Sequence, residues 1–430
     1  MRIIRPVPLL ILPPPPDFAE LLAEQLRLRQ VSSGHASVAQ PAFEAGARSR
    51  KPNRIHPGLV ALGVGVICAV LGLGLEAVTR THLRIGRIEP SAAPVLDGDL
   101  REAAWLNAAP VTIQTTQGGD FGGTRQSTVE IRAVHDGTYA YFAFVWTDPT
   151  RSLKHMPLIK TKTGWEVATP DQAVHSEPAY HEDKFSVLLA RSTLPLIGNA
   201  IHLSASPRRD RPASSSGRGL HYTSDGSVTD VWVWRASHGG PNGHIDNCHF
   251  AAAVEPTAEQ LDGRSSYKGG FAVDPGQSPA YQANVEPDQA GSGSGMIVPK
   301  RLPRDITRTI QAFGQFSSLP RESDSENARW WMTEAESSPY SAVAGAQIPT
   351  GTIVPGIISV NANLMNNTRI RGVARWAAGR WTLEIARKLN TGSEFDVPIE
   401  TGVLMWVAAF DRSETRHTRH VRPLVIEINQ

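Results

Sequence analysis

A hairpin between Thr128 and Trp146 constrains this chain more than any other segment. TVEIRAV and TYAYFAFVW flank His135-Asp136-Gly137, and Asp-Gly between alternating apolar runs specifies a tight turn joining two antiparallel strands. On the second strand Ala140, Phe142, Phe144 and Trp146 share one face, while Tyr139, Tyr141 and Val145 share the other. A strand apolar on both faces belongs between two layers, so something must cover this hairpin from either side. Further strands are predicted at Phe185–Ala190, Ala200–Ala205, Val228–Arg235, Ile357–Asn361, Ile370–Trp376, Trp381–Arg387, Gly402–Phe410 and Val421–Ile428. Short strands with long polar connections argue for a mainly β fold, an antiparallel β-sandwich with long loops. Arg208–Gly219 and Gln282–Ser294 read as loops. Pro303–Tyr340 is the longest excursion, with a short helix expected near Ser325–Trp331 and with Trp330 and Trp331 as candidates for a partner-docking surface.

Ahead of the sandwich the composition changes twice. Residues 1–55 carry the run Pro13-Pro14-Pro15-Pro16 and a Ser/Gly/Ala/Arg-rich stretch, and are expected to be disordered. Residues 56–79 contain PGLVALGVGVICAVLGLGL, an uncharged run long enough for a transmembrane helix or signal anchor. Arg48, Arg50, Lys51 and Arg54 precede it, against Arg80, Arg84 and Arg87 after it. That bias expects a single pass of the cytoplasmic membrane with residues 80–430 on the periplasmic side. A formal net charge of +2 makes nucleic acid a poor partner. The two cysteines, Cys68 and Cys248, fall on either side of that boundary, so no disulfide framework is expected.

No G-x-S-x-G, H-E-x-x-H, P-loop or dinucleotide fingerprint occurs, which leaves hydrolytic and nucleotide-dependent catalysis without a signature. The loop SHGGPNGHIDNCHF gathers His238, His244, His249, Asp246 and Cys248, but at no closed zinc spacing, and ordinary loop histidines are expected there. His417 and His420 stand where the last turn meets the final strand. Imidazole at the end of an aromatic-rich sheet suits an axial ligand of haem iron, and without Cys-x-x-Cys-His any such haem is held non-covalently.

Several pieces in order carry a resemblance: PVLDGDLREAAW, EIRAVHDGTYAYFAFVWTDPTRS, HMPLIKTKTGWEV, YHEDKFSVLLA, GLHYTSDGSVTDVWVWRA, YKGGFAVDP and WTLEIARKLNTGSEFDVP…FDRSETRHTRH. Together, over nearly all of Ile88–Ile428, they resemble the ethylbenzene-dehydrogenase-related haem-binding domain, the haem b subunit of molybdenum enzymes of the dimethyl-sulfoxide-reductase type. The resemblance implies a β-sandwich with one haem b at its end, held by a mid-domain residue and one near the C-terminus. Well-known members use methionine and lysine. Here the two positions fall on His221 and His417, which implies bis-histidine ligation, with His420 and Met156 as alternatives. Asp225 or Asp230 would orient His221, and Asp411 or Glu414 would orient His417. Arg416, Arg419 and Arg218 are placed for the propionates. Trp232, Trp234, Trp406 and Phe410 are expected in the core, and Trp232 is a candidate contact of the macrocycle. The implied role is electron relay to or from a partner oxidoreductase or cytochrome, with no catalysis of its own. The opening LDGDLREAAW equally resembles carbohydrate-binding sandwiches, in which Trp105, Trp165 or Trp330 would be exposed sugar platforms.

Overall fold

The computed structural model describes residues 81–169, 179–191, 201–204, 220–258, 269–275, 280–285, 297–313, 319, 323–360 and 369–429. Twelve strands make one hydrogen-bonded path. In chain order they are β1 (Thr81–Arg87), β2 (Val111–Thr116), β3 (Gln126–His135), β4 (Tyr139–Thr147), β5 (Lys184–Ala190), β6 (Thr229–Arg235), β7 (Asp246–Phe250), β8 (Phe271–Val273), β9 (Ile370–Ala377), β10 (Arg380–Lys388), β11 (Leu404–Phe410) and β12 (Leu424–Ile428). The path runs β8-β7-β6-β5-β11-β12-β1-β3-β4-β10-β9, with β2 also on β3.

β1 is the seam. Thr81–Ile85 lie parallel to Leu424–Ile428, and then Gly86 and Arg87 pair in parallel with Val134 and His135. One layer is therefore β8, β7, β6, β5, β11 and β12, and the other β2, β3, β4, β10 and β9. The sandwich is not wholly antiparallel, as the sequence had suggested. No tight turn ties β1 to a neighbour, so nothing forces it to run against one.

The expected hairpin forms with His135 opposite Ala140. Asp136 Oδ1 accepts the Thr138 and Tyr139 N–H groups at 2.8 and 2.7 Å, and Gly137 takes φ +91°, which glycine adopts without strain. Ala140, Phe142, Phe144 and Trp146 turn into the sandwich. There Phe144 and Trp146 meet Phe185 of the facing layer with ring centres 5.0 and 4.5 Å apart, and Phe142 meets Trp232 at 5.7 Å. The opposite face of β4 is covered too: Tyr141 and Ala143 pack with Trp105 of helix α1 (Ala103–Asn107). Trp105 is anchored there because its Nε1–H donates to Glu384 Oε1 at 2.7 Å.

Three expectations are corrected here. Ser325–Trp331 holds a turn at 326–327 and no helix; the nearest helices among the described residues are α2 (Ile306–Phe313) and α3 (Ala342–Gln347). Its side chains are engaged in tertiary bonds instead, with Asp324 accepting from Leu153 N–H, Lys154 Nζ and Trp330 Nε1 at 2.6–2.9 Å. Second, no helix among the described residues is long and apolar enough to cross a membrane. The transmembrane helix over residues 56–79 is therefore unsupported and is withdrawn, and that segment lies outside the described residues, as does 1–55. The expectation rested on the length and uncharged apolar composition of the run. Third, the single-pass membrane location rested on that helix and falls with it.

Candidate functional site

His221 and His417 come together. Their ring centres are 6.5 Å apart, with the planes inclined at 57°. His221 lies on a short strand, Leu220–Thr223, paired with Ile201–Ser204. Its carbonyl accepts the Gly270 N–H at 2.8 Å, and Phe250 packs edge-on to its ring at 5.7 Å. Residue 270 must be glycine for this clip, since a Cβ there would run into the Ala251 and Ala252 carbonyls.

His417 is held between β11 and β2. Thr418 N–H donates to the Ala409 carbonyl at 2.8 Å, and Thr418 Oγ1 accepts the Ala409 N–H at 3.0 Å. Arg419 and Thr116 exchange backbone bonds at 2.8 and 2.9 Å. The His417 Nδ1 lies 2.8 Å from the Thr418 carbonyl. A carbonyl can only accept, so Nδ1 carries the proton and Nε2 keeps its lone pair. Burial holds His417 below its usual value, so the ring stays neutral. A neutral imidazole with an oriented Nε2 is a ready metal ligand.

The other expected residues fall elsewhere. His420 accepts the Val407 N–H on Nε2 at 3.0 Å and gives Nδ1–H to the Arg422 carbonyl at 2.7 Å, so both its nitrogens are engaged. Met156 sits in the loop after β4, with its N–H on the Tyr180 carbonyl. Arg416 has a buried Nε with no hydrogen-bond partner among the described residues. The exposed Arg419 bonds Gln117. Trp232 is fully buried between the layers, with the Arg387 guanidinium 5.0 Å from its ring centre. Asp225 bonds Ser227, Asp230 pairs with Arg387, Asp411 bonds Phe121 and Arg412, and Glu414 pairs with Lys184. The Thr418 carbonyl, rather than Asp411 or Glu414, orients His417. Arg218 lies outside the described residues.

Two clusters of titratable side chains escaped the sequence. His155, His181 and His238 gather with Glu182 and Glu414 where β4, β5, β6 and β11 end. The His155 ring lies 4.4 Å from that of His238 and 5.3 Å from that of His181. Burial, then His238, holds His155 well below its usual value. Of the loop SHGGPNGHIDNCHF only His238 joins, for His244 bonds Asp246 and His249 bonds Asp274. Cys248 is a buried thiol on β7. The second group is Asp148, Asp183 and Asp411, all fully buried, with oxygens within 4.8 Å of one another. Burial and their mutual repulsion push Asp148 and Asp183 well above the usual carboxylate range. Burial also pushes Asp411 up to about 6, against the pull of Arg412.

The model of the ethylbenzene dehydrogenase family matches residues 102–422, a stretch that includes both His221 and His417. The chain belongs to that family. No curated protein matches it. Among solved structures, this ethylbenzene dehydrogenase family member is similar to a putative carbohydrate-binding protein from Bacteroides uniformis ATCC 8492. That match has 7% identity and a TM-score of 0.30, covering 82% of this chain and 100% of that one. It is also similar to a family 9 carbohydrate binding module from Caldicellulosiruptor kristjanssonii in complex with glucose. There the identity is 10% and the TM-score 0.26, covering 81% of this chain and 95% of that one. At such TM-scores neither likeness says what this chain binds.

Proposed function

We propose that this ethylbenzene dehydrogenase family member is a b-type haem protein that relays electrons, with His221 and His417 as the axial ligands of one non-covalent haem. The observation that carries the reading is the approach of two imidazoles from distant parts of the chain to a ring separation of 6.5 Å. A metal–imidazole nitrogen bond is about 2 Å and the ring centre lies roughly 1 Å behind its nitrogen, so two imidazoles on opposite sides of one ion stand roughly 6 Å apart. The donor set fits for a second reason: the Thr418 carbonyl fixes the tautomer of His417 and leaves Nε2 to bind.

When bound, haem would supply one-electron chemistry, and His221 and His417 would be the residues that hold it. This chain's residues do the rest. His417 and His221 orient their nitrogens, Phe250 and Phe410 wall the imidazoles at 5.7 and 5.0 Å, and the half-buried Arg416 offers its guanidinium to a propionate. The partner is a redox protein, either a molybdenum oxidoreductase or a cytochrome. A sugar-binding role is less well supported, because Trp105, Trp165 and Trp330 are only 0, 3 and 7% exposed and offer no surface platform.

The test is a reduced-minus-oxidised visible spectrum of protein from haem-replete cells, with a pyridine haemochrome assay. About one extractable haem per chain with a low-spin spectrum is expected. His221→Ala and His417→Ala should each abolish that spectrum, while His420→Ala should keep it. Folded protein without haem, or a low-spin spectrum surviving the double His221→Ala/His417→Ala change, would sink the proposal.

A further inference from the structure

The geometry points to a second metal site, independent of the haem reading: a divalent first-row transition ion held by His155, His238 and Glu182, with His181 as the adjacent imidazole. These three side chains come from the loop after β4, the approach to β5 and the loop after β6. Backbone bonds tie the three segments together: Asp183 N–H donates to the Ser152 carbonyl at 2.8 Å, and Ala236 N–H to the Asp183 carbonyl at 3.0 Å. The site is therefore built on the sandwich rather than on one mobile loop.

Glu182 is the centre of the argument. It is fully buried, and its side-chain ion-pair partners among the described residues are imidazoles, with no lysine or arginine. Its Oε2 accepts the Ser237 and His238 N–H groups at 2.5 and 3.1 Å, which aims Oε1 at the rings of His155 and His238. Arg235 and Lys184 act on it electrostatically, but a buried carboxylate with no lysine or arginine in direct contact is still costly. A divalent ion on Oε1 supplies the direct counter-charge.

His155 gives the second observation. Its Nδ1 is buried without a hydrogen-bond partner among the described residues, and it lies 3.7 Å from Glu182 Oε1. That distance is too long for a hydrogen bond. Two donors on one tetrahedral ion at about 2.1 Å stand roughly 3.4 Å apart, so one ion bridges His155 and Glu182 with little movement. His238 Nδ1, now in contact with the same Oε1, draws back as it becomes the third ligand. The candidate ligand atoms of His155, Glu182 and His238 all lie within 4.8 Å of one another. Neutral imidazole is the ligand form. Two imidazoles and one carboxylate suit Zn²⁺ or Fe²⁺, not Ca²⁺ or Mg²⁺. The neighbouring carboxylate Glu414 is a poorer ligand, because Lys184 Nζ already occupies it at 2.6 Å.

The probe is Zn²⁺ titrated by calorimetry into full-length, untagged, chelator-treated protein, with Co²⁺ d–d absorption as a second readout. One ion per chain is expected. Affinity should fall by roughly 10- to 100-fold or more in His155→Ala and in Glu182→Gln, with folding checked by circular dichroism. It should be unchanged in His221→Ala and His417→Ala, which separates this site from the haem ligands. Less than one ion per folded wild-type chain, or full affinity in His155→Ala, would overturn the assignment and leave a buried His–Glu hydrogen-bond network.

Discussion

At the scale of single residues, the buried aspartates make the sharpest claim. Asp148 Oδ2 is buried without a hydrogen-bond partner among the described residues, beside Asp183 and Asp411. Burial first, then those two neighbours, raises Asp148 well above 3.8. An acid whose folded value is raised binds its proton more tightly in the folded chain than in the unfolded one. Its contribution therefore favours folding below the unfolded value of 3.8 and is lost as pH climbs through the raised folded value. Asp148→Asn keeps the shape and removes the charge. It should raise stability at pH 7 by about 1–3 kcal/mol, the usual cost of a buried polar group left unsatisfied, and by much less near pH 4. Denaturant melts at the two pH values measure this; an equal gain at both would refute the charge argument. The same scale separates His417 from His420. Three positions apart in one turn, they differ only in what their nitrogens touch, and hydrogen-bond partners are not readable from spacing.

Among the elements, the strand carrying His221 depends on a backbone clip that leaves no room for a side chain at residue 270. Gly270→Ala should cost about 1–3 kcal/mol through overpacking and lower haem occupancy in step, because the clip holds the His221 backbone. Normal stability combined with normal haem content would show that the clip is dispensable. The hairpin of β3 and β4 was legible because Asp-Gly and two apolar faces are local signals. β1 was not. THLRIGR alternates only weakly, and its burial comes from pairing with β12 and β3, far along the chain. The expected helix near Ser325–Trp331 failed for a related reason: Asp324 and Trp330 bond to each other, and Asp324 to the Leu153–Lys154 backbone and side chain, rather than closing helical turns.

Across the whole molecule, the layers are joined by apolar packing and, among the described residues, by buried polar links that include an ion pair. Arg387 of β10 reaches Asp230 of β6 at 2.8 Å, both fully buried, and donates to the Val397 carbonyl at 2.9 Å. Arg387→Ala strands Asp230 in the core and should cost about 3–5 kcal/mol. Arg387→Met with Asp230→Asn should recover most of that loss, and a double variant as unstable as the single one would argue for a packing role instead. Sequence by itself determined the β class, most strands and the candidate ligand positions His221 and His417, because alternation, turn chemistry and family motifs are written locally. It did not determine that β1 joins two layers in parallel or that His155, Glu182 and His238 share a buried corner. Nor did it show that Trp105, Trp165 and Trp330 are covered. Those are facts of long-range contact, decided only when distant segments pack and each buried polar group must find its partner.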